Sequence, residues 1–216
     1  MEDLSRRKMI KLGLLSSATA LLVSCGENSK ARIATPAEIE GPFYPLSGQA
    51  DQDSDLTETA GYHGVADGEH IIVQGQILDT EGCFIENAMI DIWQANSKGR
   101  YHHPNDTNPA PLDPGFQGRA IMQSGKNGAF RFKTVMPGTY PVSETWIRPP
   151  HIHFKVSRKD YLTLTTQMYF PDEERNEADL LFSKKEASEQ LLMTAESGDK
   201  EELAVYRYNI ILERQS

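Results

Sequence analysis

Cysteine is nearly absent from this chain. There are two, Cys25 and Cys83, in 216 residues. A small fold stapled by several disulfides is thereby excluded, and stability has to come from a buried core. Basic residues are also scarce. Lysine and arginine number 22 against 31 aspartates and glutamates, a formal net charge of −9, and the densest basic stretch sits at the very start. No basic patch remains beyond it to bind a nucleic acid. Long apolar runs are missing as well. The run from Leu12 to Val23 falls short of the ~20 residues that a membrane-spanning helix needs. No internal repeat is visible, which sets repeat architectures aside.

The short apolar run still carries information. It follows Ser5-Arg6-Arg7-Lys8-Met9-Ile10-Lys11 and closes with Leu22-Val23-Ser24-Cys25. A charged start, a brief apolar stretch and small residues at its end mark residues 1–24 as an export signal. The arginine pair points to the route that carries folded proteins. The ending resembles a bacterial lipobox, with Cys25 as the lipid-bearing first residue of the mature chain. The expected location is the bacterial cell envelope, at its periplasmic or extracellular face, with the lipid on Cys25 as the only membrane contact. A lipidated Cys25 leaves Cys83 no partner for an internal disulfide.

Residues 25–68 read as a polar tether and an irregular arm rich in Pro, Gly, Asp and Ser. Residues 69–216 read as one domain. Strand patterns run over His70–Leu78, Ala88–Gln94, Arg119–Gln123, Ala129–Val135, His151–Ser157, Leu162–Phe170 and Leu203–Leu212. Gly125-Lys126-Asn127-Gly128 is a hairpin signal between two of them. A helix is expected over about residues 173–196, capped by Asp172, with Leu180, Leu181, Leu191 and Leu192 as its apolar residues. Short strands joined by Gly, Pro and Asn turns predict an all-β fold. That fold is an antiparallel sandwich with an irregular N-terminal arm and one helix in the C-terminal region.

The densest chemistry lies in Tyr140-Pro141-Val142-Ser143-Glu144-Thr145-Trp146-Ile147-Arg148-Pro149-Pro150-His151-Ile152-His153. On a strand, residues two apart point the same way. His151 and His153 therefore leave one face, while Ile152, Phe154 and Val156 enter the core from the other. Alternation alone also produces polar outer faces, but two prolines stiffen the lead-in, and a rigid strand suits a metal better than a loop does. Tyr101 and Tyr140 follow Gly-containing segments that read as loops, where a tyrosine is less easily explained as core filling. A ligating tyrosine must lose its proton against an ordinary pKa of about 10. A highly charged cation supplies that stabilisation, and hard phenolate oxygen favours Fe(III). His102 and His103 adjoin Tyr101 and compete with it as ligands.

Six segments, in order, resemble the intradiol ring-cleavage dioxygenases. They are Glu40-Gly41-Pro42-Phe43-Tyr44; Asp91-Ile92-Trp93-Gln94-Ala95-Asn96 with Gly99 and Tyr101; Phe116-Gln117-Gly118-Arg119; Pro137-Gly138-Thr139-Tyr140; Arg148-Pro149-Pro150-His151-Ile152-His153-Phe154; and Thr166-Gln167-Met168-Tyr169-Phe170. The likeness covers about residues 38–170. It implies that Tyr101, Tyr140, His151 and His153 bind Fe(III), that Arg148 and Gln167 face the substrate, and that His102 and His103 have no ligand role. All four ligand positions are intact, as in the family's iron-bearing subunits. Three features depart from those subunits: a shorter segment from Tyr140 to Arg148, Val142 in place of a tryptophan, and Pro150 in place of an alanine. These changes border the pocket and bear on the choice of substrate.

The resemblance implies that a catechol-type substrate and dioxygen react to give a muconate-type diacid, with the ring opened between its two hydroxylated carbons. Tyr140 would take a substrate proton and Arg148 would stabilise charge developing on the ring. Assembly into a homo-oligomer fits the family. The alternative, from a different class, is a catalytically silent periplasmic β-sandwich that binds a metal or a catechol-like ligand.

Overall fold

The computed structural model describes residues 31–46, 51–199 and 202–215. The export signal expected over residues 1–24 and the lipid expected on Cys25 fall outside the described residues. Among the described residues, eleven strands and one α-helix follow one another as β1 (His70–Asp79), β2 (Met89–Trp93), β3 (Arg119–Gln123), β4 (Ala129–Val135), β5 (Tyr140–Ser143), β6 (Trp146–Arg148), β7 (His151–Ser157), β8 (Leu164–Tyr169), α1 (Ala187–Met193), β9 (Glu196–Ser197), β10 (Ala204–Arg207) and β11 (Ile210–Leu212). Among the described residues no helix is long and apolar enough to cross a membrane.

The strands form the expected sandwich. One sheet is antiparallel in the order β3-β2-β7-β8. The other is built on β1, which pairs antiparallel with β4. The inner faces meet in one core that includes Ile71, Val73, Ile77, Ile90, Ile92, Phe132, Ile152, Phe154, Val156 and Met168. Each of these is the apolar member of an alternating strand, so the pattern that gave the strands also gave the core.

Three details differ from the sequence reading. The Asn127-Gly128 turn is not a hairpin, because β3 and β4 belong to different sheets. Both residues are left-handed, Asn127 with φ 57° and Gly128 with φ 67°. An Asn-Gly pair therefore marks where the chain reverses and does not say which strand it will meet. The last stretch is also not antiparallel: β10 and β11 run parallel to β1, as two short strands separated by residues 208 and 209. Gly75 makes that break fit, since a Cβ there would lie 1.7 Å from the Tyr208 carbonyl oxygen.

The third difference is the helix, which spans only Ala187–Met193 and is preceded by two 3-10 turns, Glu174–Asn176 and Phe182–Lys184. Its cap is Glu186, in a reciprocal box with Glu189. Asp172 has φ 59°, the left-handed region, which an N-cap does not adopt. Leu180 and Leu191 are exposed, and Phe182 and Met193 carry the apolar contact with Tyr169 instead.

The N-terminal arm packs onto the sandwich. Thr35 exchanges hydrogen bonds with Ile211 of β11, while Glu38 donates its backbone N–H to the Thr165 carbonyl of β8. The arm thus crosses from one sheet to the other and reaches the end of β7 and β8 where the chemistry is concentrated.

Candidate active site

Strand register assembles one wall. His153 lies opposite both Trp93 of β2 and Gln167 of β8, and His151 lies opposite Tyr169. Residues paired across strands share a face, so Trp93, His151, His153, Gln167 and Tyr169 all leave the sheet on the side away from Ile152 and Phe154. The Trp93 indole stacks on the His153 ring at 4.7 Å with an interplanar angle of 11°. Trp93 itself backs onto Tyr44, whose hydroxyl donates to Asp91, a carboxylate also held by Arg119. The arm closes over the same rings: a Cβ placed on Gly41, whose φ is 77°, would lie 3.5 Å from His153 Cε1.

Two other segments bring the tyrosines. Tyr101 sits in an irregular segment, as expected; Tyr140 opens β5, whose hairpin with β6 ends at Arg148. The two segments touch through glycines. Gly138 donates its N–H to the Asn96 carbonyl, and the Asn96 side chain accepts from Lys98 and Arg100. Gly99 has φ 77°, and a Cβ there would lie 2.0 Å from the Thr139 carbonyl oxygen. We expect Gly99→Ala to cost about 1–3 kcal/mol in backbone strain alone and to push the Tyr140 segment off the Tyr101 segment. A lower thermal midpoint together with lost metal uptake would show it; wild-type metal uptake would mean that the glycine contact does not set the tyrosine spacing.

The four side-chain atoms converge. Tyr101 Oη lies 3.2 Å from His153 Nε2 and 3.5 Å from His151 Nε2, and Tyr140 Oη lies 3.5 Å from His151 Nε2. His151 Nδ1 is 2.7 Å from the Pro149 carbonyl oxygen. It must donate there, which leaves Nε2 as a bare lone pair facing the tyrosines. All four residues are buried. Burial, followed by the neighbouring Tyr140, pushes the Tyr101 phenol well above its ordinary range. Burial raises Tyr140 too, against the pull of Arg148. His153 is pushed down to about 3 by burial and then by Arg148, and His151 is lowered well below its ordinary value by burial, Arg148 and His153. Protein surroundings alone therefore keep this cluster neutral.

Arg148 stands beside it and is itself buried. Its Nε donates to Asp179 Oδ2 at 2.8 Å, and its Nη2 donates to Gln167 Oε1 at 2.6 Å and to Tyr169 Oη at 3.0 Å. Burial works against its charge, but Tyr169, Tyr140 and Asp179 more than offset this and raise its pKa. Gln167 uses its other end on the Ile39 carbonyl of the arm, at 3.0 Å. A cation–π contact ties Arg148 to the Trp146 ring, 5.6 Å away.

A family model described as Dioxygenase matches residues 39–214. The chain belongs to this dioxygenase family. The protocatechuate 3,4-dioxygenase beta chain of Burkholderia cepacia is 38% identical over 180 residues, covering 79% of this chain and 76% of the relative. A hydroxyquinol 1,2-dioxygenase of Rhizobium sp. (strain MTP-10005) is 28% identical over 181 residues, 78% of this chain but 58% of the relative. The chain thus spans little more than half of some curated relatives. Among solved structures, the dioxygenase domain of a carbohydrate-binding fusion protein from Streptomyces sp. SirexAA-E aligns with a TM-score of 0.63 at 25% identity. That alignment covers 85% of this chain and 100% of that one. The ring-opening dioxygenases of this family are of the intradiol, ortho-cleaving class, and this chain is an enzyme of that class.

Tyr101, Tyr140, Arg148, His151, His153 and Gln167, singled out in the sequence, come together in one place. His102 and His103 do not join them. His102 is exposed and His103 accepts from the Asn105 backbone N–H, both on a cavity of about 600 Å³ beside the Tyr101 segment. Sequence reasoning gave no role to Tyr169 or Asp179. Tyr169 was within reach, being two residues from Gln167 on the same strand face. Asp179 lies in the stretch expected to be a helix, where an acidic residue reads as part of the solvated face.

Proposed function

We propose that the chain holds ferric iron through Tyr101, Tyr140, His151 and His153 and opens a catechol-type ring between its two hydroxylated carbons. The observation behind this reading is the convergence of two phenol oxygens and two imidazole nitrogens with edges of 3.2–3.5 Å. Those are spacings that suit donors about 2 Å from a common ion. The donor chemistry fits as well. Two phenols kept neutral by burial need a strongly charged cation to ionise, and the imidazoles are already deprotonated, as ligands must be.

Iron supplies Lewis acidity and a template for the two substrate oxygens. The chain's residues do the rest. Tyr140 Oη takes one of the catechol protons. Arg148, held beforehand by Asp179, Gln167 and Tyr169, stabilises the negative charge that develops on the ring. Trp93, stacked on His153, and Phe43, whose ring centroid is 4.7 Å from that of Tyr101, keep water away from the donors. Both atoms of dioxygen end in the muconate-type product, so no external reductant is consumed.

Oxygen uptake by the iron-loaded protein over a panel of catechols, with identification of the diacid product, tests this reading. A protein that binds catechols under oxygen and cleaves none of a broad panel is a binder and not a catalyst.

We also propose export to the cell envelope with a lipid on Cys25. Cys25→Ser is expected to move the protein from the membrane fraction to the soluble fraction. An intact mass without a lipid adduct, or an unchanged membrane fraction in that variant, overturns the anchor.

A further inference from the structure

Asp179 reaches the site from a segment with no evident part in it. It lies between β8 and α1 and is fully buried. Its backbone N–H donates to the Asn176 carbonyl, and its own carbonyl accepts from Ser183. Asn176 in turn donates to the Phe170 carbonyl at the end of β8. Oδ1 accepts from the Leu181 backbone N–H at 2.8 Å, which leaves Oδ2 for Arg148 Nε. The carboxylate is thus fixed from its own segment before it meets the guanidinium. The segment is itself fastened to the arm, since Lys185 donates to the Ala37 carbonyl.

The guanidinium is correspondingly restrained. Asp179 holds Nε, and Gln167 and Tyr169 hold Nη2. These three partners lie along one side of the planar fork and leave its Nη1 side for other contacts. An arginine side chain ordinarily has several rotamers and sizeable conformational entropy. A group that must meet transient charge gains from being fixed beforehand.

We propose that Asp179 is the positioning residue for Arg148: its buried carboxylate fixes the orientation of the guanidinium and balances its charge, so that the Nη1 side faces the reacting ring. This rests on the ring-cleaving function proposed above. The hydrogen bond by which the Asp179 carboxylate reaches the site goes to Arg148 Nε, with Oδ1 kept by its own segment.

A double-mutant cycle on the full-length, iron-loaded protein tests it. Asp179→Asn keeps an acceptor near Nε and removes the charge. Single-turnover cleavage should slow about 10–100-fold, the usual cost of losing an outer partner of a reacting group. In an Arg148→Ala background the same change should alter the rate by no more than about twofold, because the residue through which Asp179 acts is gone. On the metal-free protein, the Arg148 Nε–H resonance should lose its carboxylate-shifted position in Asp179→Asn. If Asp179→Asn does not fold, Tyr169→Phe removes a different restraint and should show the same non-additivity with Arg148→Ala. Wild-type turnover in Asp179→Asn, or effects that multiply in the double variant, overturns the proposal. A wild type that cleaves no catechol overturns the function on which it rests.

Discussion

Tyr101→Phe protein, loaded with ferric iron, is expected to lose or strongly shift the red-brown band that tyrosinate–iron charge transfer is expected to give the wild type. One of two phenolate donors is gone, while the ring remains to pack against Phe43 and Tyr140. The fold should therefore survive. Iron affinity should fall by more than the about 10–100-fold that changing an outer partner costs, because the change removes a donor atom itself. Visible spectra and iron content per chain, measured on both proteins, decide it. His102→Ala and His103→Ala are the controls, since both residues line the neighbouring cavity; both should keep one iron and the colour. An unchanged spectrum in Tyr101→Phe removes Tyr101 from the ligand set. Iron loss in either histidine variant means that the neighbouring residue was the ligand.

The part of this site that was legible in the sequence is the part that strand geometry dictates. His151-Ile152-His153 obeys a period of two, and nothing in the fold could place one imidazole in the wall without the other. Ile152, Phe154 and Val156 turned inward for the same reason, and all three are fully buried. Tyr101 and Tyr140 were legible differently. Each stands just after a glycine, and the structure shows why: Gly99 and Gly138 let two backbones approach more closely than any Cβ allows.

What was illegible depends on contacts that no local pattern records. Asn127-Gly128 fixes a left-handed turn, yet whether the flanking strands pair with each other is decided by the sheets they join. Leu180, Leu181, Leu191 and Leu192 looked like an apolar helix face, but the backbone breaks into 3-10 turns because Asp179 accepts from Leu181 and is held by Arg148. The parallel pairing of β10 and β11 with β1 is of the same kind. Each is set by a distant partner and not by its neighbours in the chain.

The second large effect concerns Arg148. An exposed ion pair would matter little, about 0–1 kcal/mol, but this one is buried, with side-chain exposures of 4% and 0%. Arg148→Ala should slow ring cleavage by about 10²–10³, or roughly 3–4 kcal/mol of barrier, as expected when a preorganised donor to developing charge is removed. Iron content and the visible band should be retained, because Arg148 donates to none of the four converging atoms. Catechol should still bind, seen as a shift of that band, so the loss falls on the chemical step and not on affinity. The variant also strands the Asp179 carboxylate, and breaking a buried pair costs about 3–5 kcal/mol of stability. Arg148→Lys therefore accompanies it. Lysine keeps the charge opposite Asp179 but cannot hold Asp179, Gln167 and Tyr169 with one planar fork. It should fold nearly as well as the wild type and still cleave slowly. If either variant, folded and carrying iron, opens catechols at the wild-type rate, Arg148 has no part in the transition state and its buried pair serves stability alone.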